Sequence, residues 1–327
     1  MKSMFTKISV LFVVLFTFAF SQDLSKIPAP KIGVWVVSNY QYVDSDNLTP
    51  DNNFNLKHAR FLLKGKVMKN VSYHAMVDLH DNTEKGPKFM QAWVAYSLDK
   101  MLNIRVGQFK YPFGAEAYSS LMKWKFINPS FVTGGIVKKL GSSGSMFRDL
   151  GIQVYGQHQL SKAVGFEYKA MLMNGSGGNA SDNNNDKDIV VYAGLKLPHK
   201  IHFGASVYSG KNGVDGEYSE TAFGVQAKFN TKKLSLQAEY ITANYEVSPT
   251  KEVEPDGFYA YATYKILPKF EAGARFDSYK SDSGATEKER FTLSAGYYLN
   301  PINRIMVNYE IKKDMDNLFT IQFYVGL

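Results

Sequence analysis

The sequence predicts an all-β protein: a transmembrane antiparallel β-barrel of about 16 strands, with a long third external loop folding into the lumen. Three observations predict it. From residue 32 onward, segments of roughly ten residues alternate apolar with polar or small side chains, the two-residue period of an outer-membrane strand. The connections between these segments alternate short and long. An export signal precedes them, and no later stretch approaches the roughly 20 apolar residues of a membrane helix.

Each element follows in order. Residues 1–21 read as a signal peptide: Lys2 and Lys7 at the start, an apolar run over 8–20, and the small residues Ala19 and Ser21 before a cleavage point at Gln22. Its removal lowers the formal net charge from +8 to +6. Residues 22–31 form a short polar leader, and 32–327 the barrel. The strand segments are 32–43, 54–69, 71–80, 89–99, 103–113, 147–160, 163–174 and 187–197. The second half continues with 201–210, 218–230, 234–246, 256–266, 270–281, 290–300, 304–313 and 318–327. That gives an even number, as bacterial single-chain barrels require. Tight links such as 69–70, 161–162 and 231–233 alternate with longer polar ones such as 44–53, 175–186 and 282–289. Short periplasmic turns and longer external loops have this pattern, and with both termini periplasmic 114–146 is the third external loop.

Parity assigns the faces. Phe319, Ile321, Phe323 and Val325 share one face of the last strand, and Thr320, Gln322 and Tyr324 the other. In the second strand Phe61, Leu63 and Val67 alternate with Arg60, Lys64 and Lys66. A charge facing lipid at the bilayer midplane costs about 2–4 kcal/mol, so the charged face must line water. The implied lumen carries both signs: Arg60, Lys64, Lys169, Lys228, Arg275 and Arg304 among the bases, Asp78, Glu167, Glu239, Asp277 and Glu310 among the acids. A net positive lining concentrates anions.

The stretch 114–146 is too long for an ordinary connection. It holds Lys123, Lys125, Lys138 and Lys139 among Trp124, Phe126, Phe131, Ile136 and Val137. Folded inward, its lysines would constrict an anion path. The alternative is a solvated loop whose bases face water or lipopolysaccharide phosphates. Lys110 and Arg105 join the path or pair with Glu116; Arg148, Asp149 and Glu116 hold the root of the loop. Gly107 and Pro112 mark a close approach and a strand end.

Other features point elsewhere or nowhere. Twenty-one Tyr and 23 Phe suit strands and interfacial girdles. The absence of cysteine excludes disulfides, thiolate zinc sites and a lipidated cysteine at the cleavage point. His58, His74 and His80 share a face but have no carboxylate cluster, so no metal or cofactor is expected. Residues 182–188 are rich in Asn and Asp but lack the spacing of a calcium loop. The run GSSGS at 141–145 reads as a hinge, and Arg290 and Lys288 as solvated charges. The basic balance does not imply nucleic acid in an exported barrel. An enzyme, such as a barrel phospholipase, would need an outward Ser/His pair that parity does not provide. A structural or surface-binding barrel with a plugged lumen is the remaining competitor.

Several motifs resemble the phosphate-selective porin O and P family. They are the run RVGQFKYPFG at 105–114 with Glu116, then RDLG at 148–151, NGSG at 174–177, EYI at 239–241, GFY at 257–259, RFD at 275–277 and GYYLN at 296–300. The resemblance covers about 32–327. It implies a sixteen-stranded outer-membrane porin of a Gram-negative bacterium, assembled as a homotrimer in lipid and lipopolysaccharide, with basic residues lining a path for phosphate or similar small anions. Here the lumen bases are interspersed with acids rather than set in a ladder of arginines.

Overall fold

The computed structural model describes residues 27–44, 51–80, 86–141, 147–213 and 215–327. The signal segment, most of the leader and residues 142–145 of the expected hinge lie outside these.

The first strands are β1 (Lys31–Asp44), β2 (Asp51–Met68), β3 (Val71–Asp78), β4 (Lys88–Ser97) and β5 (Asn103–Lys110). After a long segment come β6 (Arg148–Gln159), β7 (Gly165–Met173), β8 (Asp188–Lys196), β9 (Ile201–Asn212), β10 (Tyr218–Asn230) and β11 (Leu234–Ser248). A three-residue ribbon, β12 (Lys251–Val253), extends β11 at its tip. The chain ends in β13 (Asp256–Leu267), β14 (Phe270–Lys280), β15 (Lys288–Tyr298), β16 (Arg304–Lys312) and β17 (Asn317–Gly326). Setting β12 aside, sixteen antiparallel strands pair with their sequence neighbours, and β1 pairs with both β2 and β17. The sheet therefore closes with no free edge, the condition a sheet must meet in hydrocarbon.

The observed bounds lie within three residues of the expected ones. The turns explain why. Asp99 accepts from the amides of Met101 and Leu102, Ser161 from Ala163 and Val164, Thr231 from Lys233 and Leu234, and Asn300 from Ile302 and Asn303. A short side-chain acceptor at each reversal satisfies amides that the ladder has released.

Parity is inverted relative to a soluble barrel. Phe223, Val225, Phe258, Phe276, Phe291, Leu293, Phe323 and Val325 are exposed on the outer face. Glu239, Thr263, Asp277, Thr292, Glu310 and Gln322 are buried on the inner one. A continuous apolar exterior of this kind needs hydrocarbon against it.

Gly107 sits at φ +126°, and a Cβ there would lie 2.1 Å from Ala92 O. Its cross-strand partner Gly151 would place one 2.2 Å from Leu172 O. Both glycines are needed because backbones approach where the long segment leaves the wall.

Candidate pore lining and the 111–147 segment

The segment between β5 and β6 is compact. It contains one helical turn, α1 (Ala115–Tyr118), a 3-10 turn at Leu121–Lys123 and a π-helical turn at Thr133–Val137. Gly114, at φ +76°, makes the bend into α1. Phe113, Ala117, Trp124, Val132, Ile136 and Val137 are buried against Met171, Val190, Tyr208, Ile241, Tyr245 and Tyr259 from β7 to β13. Ile127 packs separately on Val37, Met306 and Tyr324 of β1, β16 and β17.

Hydrogen bonds tie the segment to side chains of five wall strands, β10, β11, β14, β15 and β16. Glu220 accepts from the amide of Gly141 (3.2 Å), and Glu239 from that of Ala115. Glu271 pairs with Lys125 (2.8 Å). Asp277 accepts from the amide of Phe131 (2.7 Å), and Glu310 from Asn128 Nδ2 (2.7 Å). Ser294 donates to Lys125 O (3.0 Å), and Arg304 to Met122 O (2.8 Å) and Trp124 O (3.2 Å).

Two arginines hold the centre. Arg275, fully buried, donates to Asp277 (3.1 Å), Glu116 (3.3 Å) and Asn128 O (3.0 Å). Arg290, 4% exposed, bridges Asp277 (2.9 Å) and Glu310 (3.0 Å) and donates to Pro129 O (2.6 Å). The reading of Arg290 as a solvated charge is therefore corrected. Its parity with Thr292 and Ser294 already placed it on the inner face, and its neighbours Asp277 and Glu310 on adjacent strands were the missed signal. Glu116 does more than brace the loop root: it joins Arg275 to the amide and hydroxyl of Ser130 (2.8 and 2.9 Å).

The opposite wall, β2 to β6, is different. Arg60 and His58 share Asp78 (2.7 and 2.8 Å). Arg105 lies over Trp93, Phe109 and Tyr155 (4.5, 5.2 and 4.9 Å to the ring centres). Lys110 donates to the carbonyls of Ala117 and Ser119, and Arg148 to that of Met90. Asp149 accepts from the amides of Leu150 (2.6 Å) and Gly177 (3.0 Å). Lys64 is exposed on the inner face. Among the described residues, no carboxylate pairs with Lys64, Arg105 or Lys110.

Of the four segment lysines, Lys125 is paired with Glu271, while Lys123, Lys138 and Lys139 are exposed. Lys125 and Arg275 thus sit with carboxylates, as Arg60 does with Asp78; Lys64, Arg105 and Lys110, on the side of β2 to β6, have none among the described residues.

The model of the family described as phosphate-selective porin O and P matches residues 31–213 and 204–317. The chain belongs to that family, and so to the outer-membrane porins. Among solved structures it is similar to an anion-selective porin from Comamonas acidovorans, at 12% identity and TM-score 0.71 over 91% of this chain and 98% of that one. It is also similar to a loop L8 deletion mutant of OmpT, an outer membrane protein of Vibrio cholerae, at 14% identity and TM-score 0.66 over 91% and 99%. The outer membrane channel DcaP of Acinetobacter baumannii gives 14% and 0.62 over 91% and 97%. These likenesses establish the fold. Comparison with curated protein sequences gave no match.

Proposed function

We propose that this member of the phosphate-selective porin O and P family is a passive, anion-preferring channel for small hydrophilic solutes, phosphate among them. The 111–147 segment lies across the lumen and narrows it. One observation carries the preference. The acids Glu116, Glu271, Asp277 and Glu310 are each held by a base or a backbone donor, whereas Lys64, Arg105 and Lys110 have no carboxylate partner among the described residues. The field left over in the water-filled path is positive, and it concentrates anions without holding them tightly. Lys123, Lys138 and Lys139 add to it at the segment's surface. The apolar exterior meets lipid, lipopolysaccharide at the outer leaflet and two further copies in a homotrimer.

Bilayer recordings under a salt gradient test this. The expected result is conductance in steps of three with an anion-shifted reversal potential, which moves toward the cation side in Lys64→Glu. An unshifted potential in the wild type would leave a general porin. The dense packing of Phe113, Ile136 and Val137 favours a second reading, a plugged barrel, for which folded protein would not conduct.

A further inference from the structure

Leu62, Met76 and Met90 are apolar side chains buried on the inner side of β2 to β4, with Trp35 of β1 packed against them. An inner wall that only conducts inorganic ions has no use for such a cluster. It does not belong to the packing of the 111–147 segment, which has its own two clusters. Leu62, Met76 and Trp35 instead line one side of a cavity of about 340 Å³. Lys64, Arg105 and Lys110 line it too, and Tyr118 and Leu121 of the segment close it.

Two further details mark the cavity as a recognition site. Arg105 Nε and His74 Nε2, both buried on its lining, have no hydrogen-bond partner. Arg105 is fixed by three aromatic rings, and His74 stands edge-on to Trp93 at 5.6 Å. The groups are thus preorganised, and a ligand that meets them need not order them. The volume falls at the lower end of the roughly 300–1,000 Å³ of small-molecule sites, which combine an apolar lining with a few polar groups.

We propose that this cavity is a binding subsite for organic anions that carry a phosphate or carboxylate head on an apolar or aromatic body. The head sits among Lys64, Arg105 and Lys110, and the body lies on Trp35, Leu62 and Met76. Such solutes are drawn from the passing stream and held briefly beside the main path. The inference deepens the anion-preferring reading and rests on it.

The test measures block of the chloride current by phenyl phosphate and by inorganic phosphate, on the full-length protein in planar bilayers. Removing a ring from water onto this wall is expected to lower the half-blocking concentration about tenfold relative to inorganic phosphate. Trp35→Ala and, independently, Met76→Ser should bring the ratio close to one; Lys64→Gln should raise both half-blocking concentrations. Equal block by the two compounds in the wild type overturns the proposal, as does a ratio that survives both wall variants. The anion reading fails separately, through the reversal potential in potassium chloride alone.

Discussion

The two walls of the lumen use the same residue types to opposite ends. Across β14 to β16, acids and bases face each other on adjacent strands, and their charges are consumed in holding the 111–147 segment. Across β2 to β6, the bases outnumber the acids. Arg105 is steadied by aromatic rings and Lys110 by backbone carbonyls, which satisfy geometry but leave the charge uncancelled. A cation over a ring or beside a carbonyl still projects its field, whereas one against a carboxylate does not. A tally of lumen charges therefore says little about selectivity; who pairs with whom decides it.

The largest effect should come from cutting the paired wall of β14 to β16. Arg275→Met would leave Glu116 and Asp277 facing each other with one cation gone. Removing one partner of a buried ion pair costs about 3–5 kcal/mol. We expect a lower denaturant midpoint for the folded barrel, with larger and noisier conductance as the segment loosens. An unchanged midpoint and unchanged current would mean that the network does not hold the segment.

Cutting the wall of β2 to β6 should do the reverse. Lys64→Glu touches no ion pair among the described residues, so the midpoint should move by less than about 0.5 kcal/mol, as is usual for exposed sites. Ion preference should respond strongly, with the anion-to-cation permeability ratio falling several-fold as the local charge changes by two units. A large stability loss with unchanged preference would invert the assignment of the two walls.

The segment between the walls offers a matched pair. A Cβ on Gly134 meets nothing within 4 Å, whereas one on Gly135 would lie 2.6 Å from the Tyr279 ring. Gly134→Leu should fold normally and reduce conductance by projecting into open space. Gly135→Ala should destabilise by about 1–3 kcal/mol through overpacking. If the two behaved alike in both measurements, the segment would not stand against β14 as described.

Nearly all of the barrel was legible in the sequence, because the two-residue period and the alternation of loop lengths are local signals. Parity also placed Arg275, Asp277 and Glu310 on the inner face. What parity does not encode is register between strands, and register sets Arg290 beside Asp277 (Cα partners) and brings Glu310 within reach from β16. Nor could it assign partners within 111–147, since most of those bonds span more than a hundred residues, as from Lys125 to Glu271. The four lysines of the segment were indistinguishable by composition, yet one is paired and three are exposed.

That distinction yields the smallest effect and the finest test. Lys125→Gln removes one cation but also frees Glu271, whose only ion pair among the described residues is with Lys125. Tyr298 still donates to Glu271 (3.4 Å), so the carboxylate keeps a neutral partner. The loss of a paired lysine should then shift the reversal potential toward the cation side by less than Lys64→Glu does, although the charge is removed from the 111–147 segment itself. A pair of this partial exposure contributes about 1 kcal/mol or less to stability. A shift larger than that of Lys64→Glu, read in the same salt gradient, would mean that Lys125 carries the path and that its pairing with Glu271 is broken in the conducting channel.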